Sequence, residues 1–181
     1  MSKQTWKPGN MLYPLPAVMV SVTDGEGKDN IITVAWAGTV CTNPPMVSIS
    51  IRFTLFYDMI KNRGIVINLT TEKLAFATDY CGVRSGRDVD KFKEMKLTKE
   101  KAEFVSAPMI KESPVCIECK VREIKELGSH HMFLQTSSPF MWKRNLWTAI
   151  KIPFKRCAPS RIFPRRVSGN WKKRLERSDT V

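Results

Sequence analysis

The stretch that decides the fold covers residues 29–45, Asp-Asn-Ile-Ile-Thr-Val-Ala-Trp-Ala-Gly-Thr-Val-Cys-Thr-Asn-Pro-Pro. Its β-branched and aromatic residues predict a strand that ends at Trp36. The small residues Ala37, Gly38 and Thr39 then predict a loop on which a ligand can lie directly against the backbone. Two consecutive prolines predict a rigid turn before the next strand. The indole, the open loop and its hydroxyl group suit a planar, phosphorylated ligand, although two ordinary core strands with a structural Trp36 would give the same pattern.

The segments on either side of this stretch predict a mainly β fold with helical inserts. Alternating or continuous apolar residues predict strands, and turn-forming residues separate them. The predicted strands are residues 17–22, 31–36, 46–52, 65–69, 115–124 and one more from residue 128, with residues 17–36 forming a hairpin. Helical spacing predicts short helices at residues 58–64 and 71–81, the second with Thr71 as its N-cap. Short strands without βαβ alternation favour an antiparallel barrel.

The composition is that of one soluble globular domain. The chain has 181 residues, of which 43% are hydrophobic and 26% charged, and its apolar runs are shorter than the roughly 20 residues of a membrane span. The first residues lack the apolar core of a signal peptide, so we expect a cytoplasmic protein without a membrane partner. Cys116 and Cys119 have a C-x-x-C spacing, but residues three apart on a strand face opposite sides, so we expect no metal site.

Positive charge is concentrated at the C-terminal end of the sequence. Residues 1–134 contain 18 Lys and Arg against 15 Asp and Glu, whereas residues 135–181 contain 12 against 2. Strand alternation also stops at Gln135. We therefore expect an incomplete barrel domain over residues 1–134 and an atypical basic tail over residues 135–181, either frameshifted or disordered. The tryptophans among the basic residues of 142–177 would suit a nucleic-acid binder, but a disordered tail explains them more simply, so nucleic acid is the least favoured partner.

Seven short segments between about residues 12 and 134 form an ordered series. They are Pro16-Ala-Val-Met-Val-Ser-Val, Asn30-Ile-Ile-Thr-Val-Ala-Trp-Ala-Gly, Asn43-Pro-Pro, Val66-Ile-Asn-Leu, Ser85-Gly-Arg-Asp-Val-Asp-Lys-Phe, Ala107-Pro-Met-Ile-Lys-Glu-Ser and Gly128-Ser-His-His. Their order and spacing resemble the flavin reductase-like family, on its flavoredoxin branch of FMN-binding split barrels. The resemblance implies a six-stranded antiparallel Greek-key split barrel that forms a homodimer and holds FMN near the subunit interface.

The resemblance also implies flavin contacts at Asn30, Trp36, Lys91 and one of His130 and His131. The Asn30 amide can donate and accept hydrogen bonds at a polar ring edge or the ribityl chain. Trp36 offers a flat apolar face, and Lys91 offers a cation to the phosphate or to the electron-rich reduced ring. Adjacent residues of a strand face opposite sides, so only one histidine reaches the ligand, and His131 is preferred.

Two features depart from the family. The family usually carries an Arg-Pro-x-Arg-x-Ser/Thr run after the third strand, whose guanidinium and hydroxyl groups suit a phosphate. Here Arg52 remains and Thr54 is the nearest hydroxyl, in a segment one residue shorter. After Leu134 the chain matches nothing in the family, so we expect the barrel to lack its closing strand and flavin binding and activity to be impaired.

The resemblance implies an FMN-dependent oxidoreductase. Bound FMN would take a hydride from NAD(P)H and pass electrons to free flavin, iron or a redox protein partner. An FMN-loaded electron carrier without NAD(P)H turnover of its own is the alternative. The sequence contains no Ser-His-Asp set and no paired carboxylates in one motif, so we expect no catalytic side chain.

Overall fold

The computed structural model describes residues 3–52, 60 and 64–142, which all belong to one compact unit, Met1–Lys143. Within these residues the chain forms nine strands, one 3₁₀ turn and two short α-helices. In chain order they are β1 (Val18–Thr23), β2 (Asp29–Val34), β3 (Ala37–Thr42), β4 (Pro45–Ile51), β5 (Ile65–Leu69), the 3₁₀ turn Glu72–Leu74, α1 (Ala75–Val83), α2 (Lys91–Glu94), β6 (Lys99–Glu100), β7 (Met109–Ile110), β8 (Val115–Glu126) and β9 (His131–Trp142).

Seven of the strands form one curled antiparallel sheet, in the order β2-β1-β5-β8-β9-β4-β3. This confirms the predicted mainly β, antiparallel split-barrel fold, with seven strands in place of the predicted six. The extra strand arises because the stretch around Trp36 is divided: β2 pairs with β1, and after a two-residue bend β3 pairs with β4. The backbone N–H of Ser50 on β4 donates to the carbonyl oxygen of Trp36 at 2.8 Å, so the sheet curls back on itself at this bend.

The core lies on both faces of β1, which is buried along its whole length. On the inner face of the curled sheet, Val18, Val20 and Val22 pack with apolar residues of β4 and β9 such as Ile49 and Phe133. On the outer face, Met19 packs with residues of β2, the 3₁₀ turn, α1 and α2: Ile31, Leu74, Ala77, Cys81 and Phe92. The two helices therefore cover the outside of the sheet and leave its inner face to the barrel core, as layer packing requires.

Two predictions about strands are wrong. Residues 37–39 are not a loop but the first half of β3, because their backbone pairs with β4. Strand structure does not end at Leu134, because β9 continues to Trp142 and pairs with both β4 and β8. Backbone hydrogen bonds hold such a strand without strict side-chain alternation. Residues 143–181 lie outside the described residues, so the division into a barrel and a basic tail stays a prediction.

The remaining elements follow the sequence closely. The hairpin over residues 17–36 is confirmed by the pairing of β1 with β2. Thr71 stands at the predicted N-cap position, but its side chain makes no capping hydrogen bond. The predicted helix at residues 58–64 lies outside the described residues except for Ile60 and Gly64. Cys116 and Cys119 pack in different apolar clusters, as expected for opposite faces of a strand.

The described residues contain no group of three His, Cys, Asp or Glu side chains able to hold a metal ion. Over the same part of the chain, no helix has the length and apolar character needed to cross a membrane.

Candidate functional site

Trp36 lies at the bend between β2 and β3, where the curled sheet closes. Its carbonyl is fixed by the Ser50 N–H, while 38% of the residue remains exposed. The indole contacts the imidazole of His130, with ring centroids 4.5 Å apart and ring planes inclined by 38°. The half-exposed indole of Trp36 therefore lies beside the His130 imidazole, and a hydrogen bond from Ser50 fixes the Trp36 backbone.

His130 is placed by the tight turn that joins β8 to β9. The N–H of Leu127 donates to the carbonyl of His130 at 2.9 Å, which leaves Gly128 and Ser129 as a two-residue hairpin loop. Gly128 has φ +88°, a value that favours glycine at the first central position of such a turn. The Ser129 hydroxyl lies 2.9 Å from Nδ1 of His130. The imidazole is thus held at the tip of a short, well-defined hairpin.

The structure brings His130, and not the preferred His131, against Trp36. His131 is the first residue of β9 and pairs with Ile51. Alternation along β9 places its side chain on the same face as Phe133, which is fully buried in the core. His130 precedes β9 and contacts Trp36, whereas His131 lies on β9. That only one of them contacts a ligand stays a prediction.

Four more predicted residues lie at this end of the sheet. Arg52 directly follows β4 and is exposed, and because Ile51 is opposite His131, Arg52 lies at the same end of the sheet as His130. Ala37, Gly38 and Thr39 begin β3 beside Trp36. Open space surrounds Gly38 at the position of a Cβ. Thr54 lies outside the described residues.

Asn30 and Lys91 lie together at the other end of β2. Asn30 is 3% exposed, its Oδ1 accepts from the N–H of Ile31 at 2.8 Å, and Gly86 packs so closely that a Cβ there would lie 2.0 Å from its Nδ2. The Lys91 ammonium donates to the carbonyls of Ile31 at 2.7 Å and Cys81 at 2.9 Å. Lys91 therefore joins the end of α1 to β2. Its side chain is buried and hydrogen-bonded, so it is not solvated.

Burial sets the electrostatics of this second group. Desolvation lowers the pKa of Lys91 below its ordinary value, and the neighbouring Cys81 acts in the opposite direction. Desolvation likewise raises the pKa of the Cys81 thiol to about 11, partly offset by Lys91. Asn30 is the second residue of β2, and Trp36 lies two residues beyond its last residue. The predicted site residues thus fall into two groups, one at each end of β2.

The group around Trp36 fits a flavin phosphate ester chemically. The indole and imidazole offer flat faces to a planar ring, the small residues of β3 leave room beside them, and the exposed Arg52 guanidinium can bind a phosphate bidentately. Donors and acceptors for a ring edge are available from Thr39 and His130. In the buried group, Asn30 Oδ1 and the Lys91 ammonium already form hydrogen bonds with backbone groups.

Three residues at these sites were not predicted from the sequence: Ser50, Gly86 and Ser129. Ser50 acts through its backbone N–H, which carries no sequence signal. Gly86 packs against Asn30 only because the loop after α1 wraps over β2. For Ser129 a signal existed, since Gly128-Ser129 between two apolar runs is typical of a hairpin turn.

Comparison with known proteins gives one family match and related structures. The sequence pattern of the flavin reductase like domain matches residues 11–136. Flavoredoxin of Desulfovibrio vulgaris (Miyazaki F) is 30% identical, with a TM-score of 0.74 over 80% of this chain and 78% of that one. Flavoredoxin from Methanosarcina acetivorans is 26% identical, with a TM-score of 0.70 over 79% and 77%. An uncharacterized protein of Archaeoglobus fulgidus is 28% identical over 125 residues, 68% of this chain and 70% of its own.

Proposed function

The chain belongs to the flavin reductase-like family, whose domain spans residues 11–136, and on that premise we propose that it is an FMN-dependent oxidoreductase. FMN, when bound, supplies the hydride and electron chemistry. The protein supplies the binding surface, the orientation of the ring and the exclusion of water. NAD(P)H is the proposed electron donor, and free flavin, iron or a redox protein is the proposed acceptor. A cytoplasmic homodimer is the proposed setting.

The observation that carries this proposal is the contact between Trp36 and His130 at the end of the curled sheet where Arg52 follows β4. The ring of FMN packs against the indole, and the phosphate is neutralised by Arg52. Ala37, Gly38 and Thr39 border the ring along β3, where a larger side chain at Gly38 would occupy the open space. His130 lies 4.5 Å from the indole between ring centroids and meets the ring edge.

Asn30 and Lys91 enter the proposal in a supporting role. The Lys91 ammonium donates to the carbonyls of Ile31 on β2 and Cys81 on α1 and so holds β2 against both helices, while Asn30 Oδ1 accepts from the Ile31 N–H within β2. β2 leads directly into the bend that carries Trp36. A rigid β2 fixes the direction of the indole before a ligand binds, which lowers the entropic cost of binding. The name flavoredoxin, carried by two of the similar structures, supports a flavin as the ligand of this fold.

Equilibrium titration with FMN and with riboflavin tests the site. Arg52→Ala is expected to weaken FMN binding by about tenfold or more, the value of a hydrogen bond to a charged group, and to leave riboflavin binding unchanged. Trp36→Ala is expected to weaken both ligands. Arg122→Ala and Trp6→Ala are matched controls, because both residues are exposed and lie on other parts of the chain. Equal loss of both ligands in Arg52→Ala would show that the phosphate lies elsewhere.

Turnover separates the enzyme from the electron carrier. The FMN-loaded protein is expected to oxidise NADH or NADPH anaerobically in the presence of excess free flavin. A protein that retains FMN and accepts electrons from dithionite, yet oxidises neither nicotinamide, would be the carrier.

A further inference from the structure

A serine hydroxyl lies behind the imidazole of the candidate site. Ser129 Oγ is 2.9 Å from Nδ1 of His130, and the imidazole of His130 also contacts the indole of Trp36. The imidazole therefore lies between the serine hydroxyl and the indole. Neither the family match nor the proposed binding surface gives Ser129 a role.

The geometry of the hairpin makes this contact a defined one. Ser129 and Gly128 form the two-residue loop closed by the bond from Leu127 N–H to the His130 carbonyl. A two-residue loop leaves little freedom between the hydroxyl and the next side chain. A neutral imidazole has one donor nitrogen and one acceptor nitrogen, and the partner of one nitrogen decides what the other offers.

We propose that Ser129 is a positioning residue whose hydroxyl donates to Nδ1 of His130. The bond keeps the imidazole proton on Nε2 and holds the ring against Trp36. Nε2–H is then a hydrogen-bond donor directed at an acceptor atom of the flavin ring, a carbonyl oxygen or a ring nitrogen. This last part rests on the proposed function, whereas the tautomer itself is a property of the protein alone.

Nitrogen-15 NMR of the imidazoles in the full chain, without added ligand, tests the tautomer. The chain contains 2 histidines, so His131→Gln assigns the two rings. At a pH where His130 is neutral, we expect the Nε2–H tautomer in the wild type and a shift towards a mixture in Ser129→Ala. A proton on Nδ1 in the wild type, or the same spectrum in both proteins, would overturn the proposal.

Flavin titration tests the consequence for binding. Ser129→Ala is expected to weaken FMN binding about threefold to tenfold, the range of one neutral hydrogen bond, and Ser129→Thr to restore it. Ser106→Ala, at an exposed serine on the loop before β7, should leave affinity unchanged. In a His130→Ala background the effect of Ser129→Ala should disappear, because the two residues act as one unit.

The two assays also separate the two claims. An equal loss from Ser129→Ala with and without His130 would show that the serine does not act through the imidazole. If the wild type binds no FMN, the proposed function fails, and the NMR result alone decides the role of Ser129.

Discussion

Gln135 is a polar residue buried in the apolar barrel core, and replacing it with an apolar residue should stabilise the protein. Its side chain is fully buried, and within the part of the chain that the structure describes neither amide atom has a hydrogen-bond partner. It lies on β9 opposite Val47 on β4 and Val121 on β8, on the same inner face as the core residue Phe133. A buried amide without partners costs about 1–3 kcal/mol relative to an apolar group of the same shape.

Gln135→Met keeps the length of the side chain and removes the two polar atoms. We therefore expect the free energy of unfolding to rise by about 1–3 kcal/mol, which for a chain of this size is a melting-temperature increase of roughly 2–12 °C. Differential scanning calorimetry with urea unfolding measures both quantities. Gln4→Met, at an exposed position, is the control and should change neither. A lower melting temperature for Gln135→Met would show that the amide is satisfied in solution, for example by a buried water.

Three further predictions concern buried groups. Burial, with a smaller effect of Glu118, raises the pKa of the Cys119 thiol from 9.0 to about 12. The unfolded thiol therefore loses its proton first, and stability should fall as pH rises from 9 towards 12, by up to about 1.4 kcal/mol per pH unit. Urea unfolding of Cys119→Ala should show a shallower alkaline slope, and an unchanged slope would contradict the assignment. Gly86→Ala should cost about 1–3 kcal/mol by overpacking the asparagine amide behind it. Thermal melts should show no such cost for Gly38→Ala, and equal melting temperatures for the two variants would refute the close packing. Lys91→Met leaves two buried carbonyls without a donor and should lower stability by about 1–3 kcal/mol, while the exposed control Lys93→Met should not. A stable Lys91→Met would mean that the ammonium is not structural.

The strands could be predicted because their signal is local. Residues 65–69 coincide with β5, since β-branched runs between turn residues are read within a few positions. The division at Ala35–Trp36 could not be predicted in this way. It depends on β1 and β4 competing as partners for one stretch of chain, and a partner that is distant in sequence leaves no mark on local composition.

The position of Lys91 shows the same limit at a side chain. A lysine in a run of charged residues favours a solvated position. Its ammonium is nevertheless buried, because the carbonyl of Ile31 lies 60 residues earlier in the chain and reaches it only in the folded protein. Alternation likewise separates His130 from His131, but only the hairpin geometry decides which ring meets Trp36.

The extent of β9 shows that a strand can continue where side-chain alternation stops. Residues 135–142 lack alternation, yet the stretch pairs with β8 as far as Trp142, and Gln135 and Thr136 also pair with β4. A strand between two partners gains hydrogen bonds on both edges and therefore tolerates side chains that do not suit it. Gln135 is such a side chain, because its buried amide has no hydrogen-bond partner among the described residues.

A crystal structure of the protein with FMN would show directly at which end of β2 the flavin binds. We expect the flavin ring in contact with the Trp36 indole, beside His130, with the phosphate within hydrogen-bond distance of Arg52. A ring seated instead at Asn30 and Lys91, with Trp36 free of contact, would contradict it.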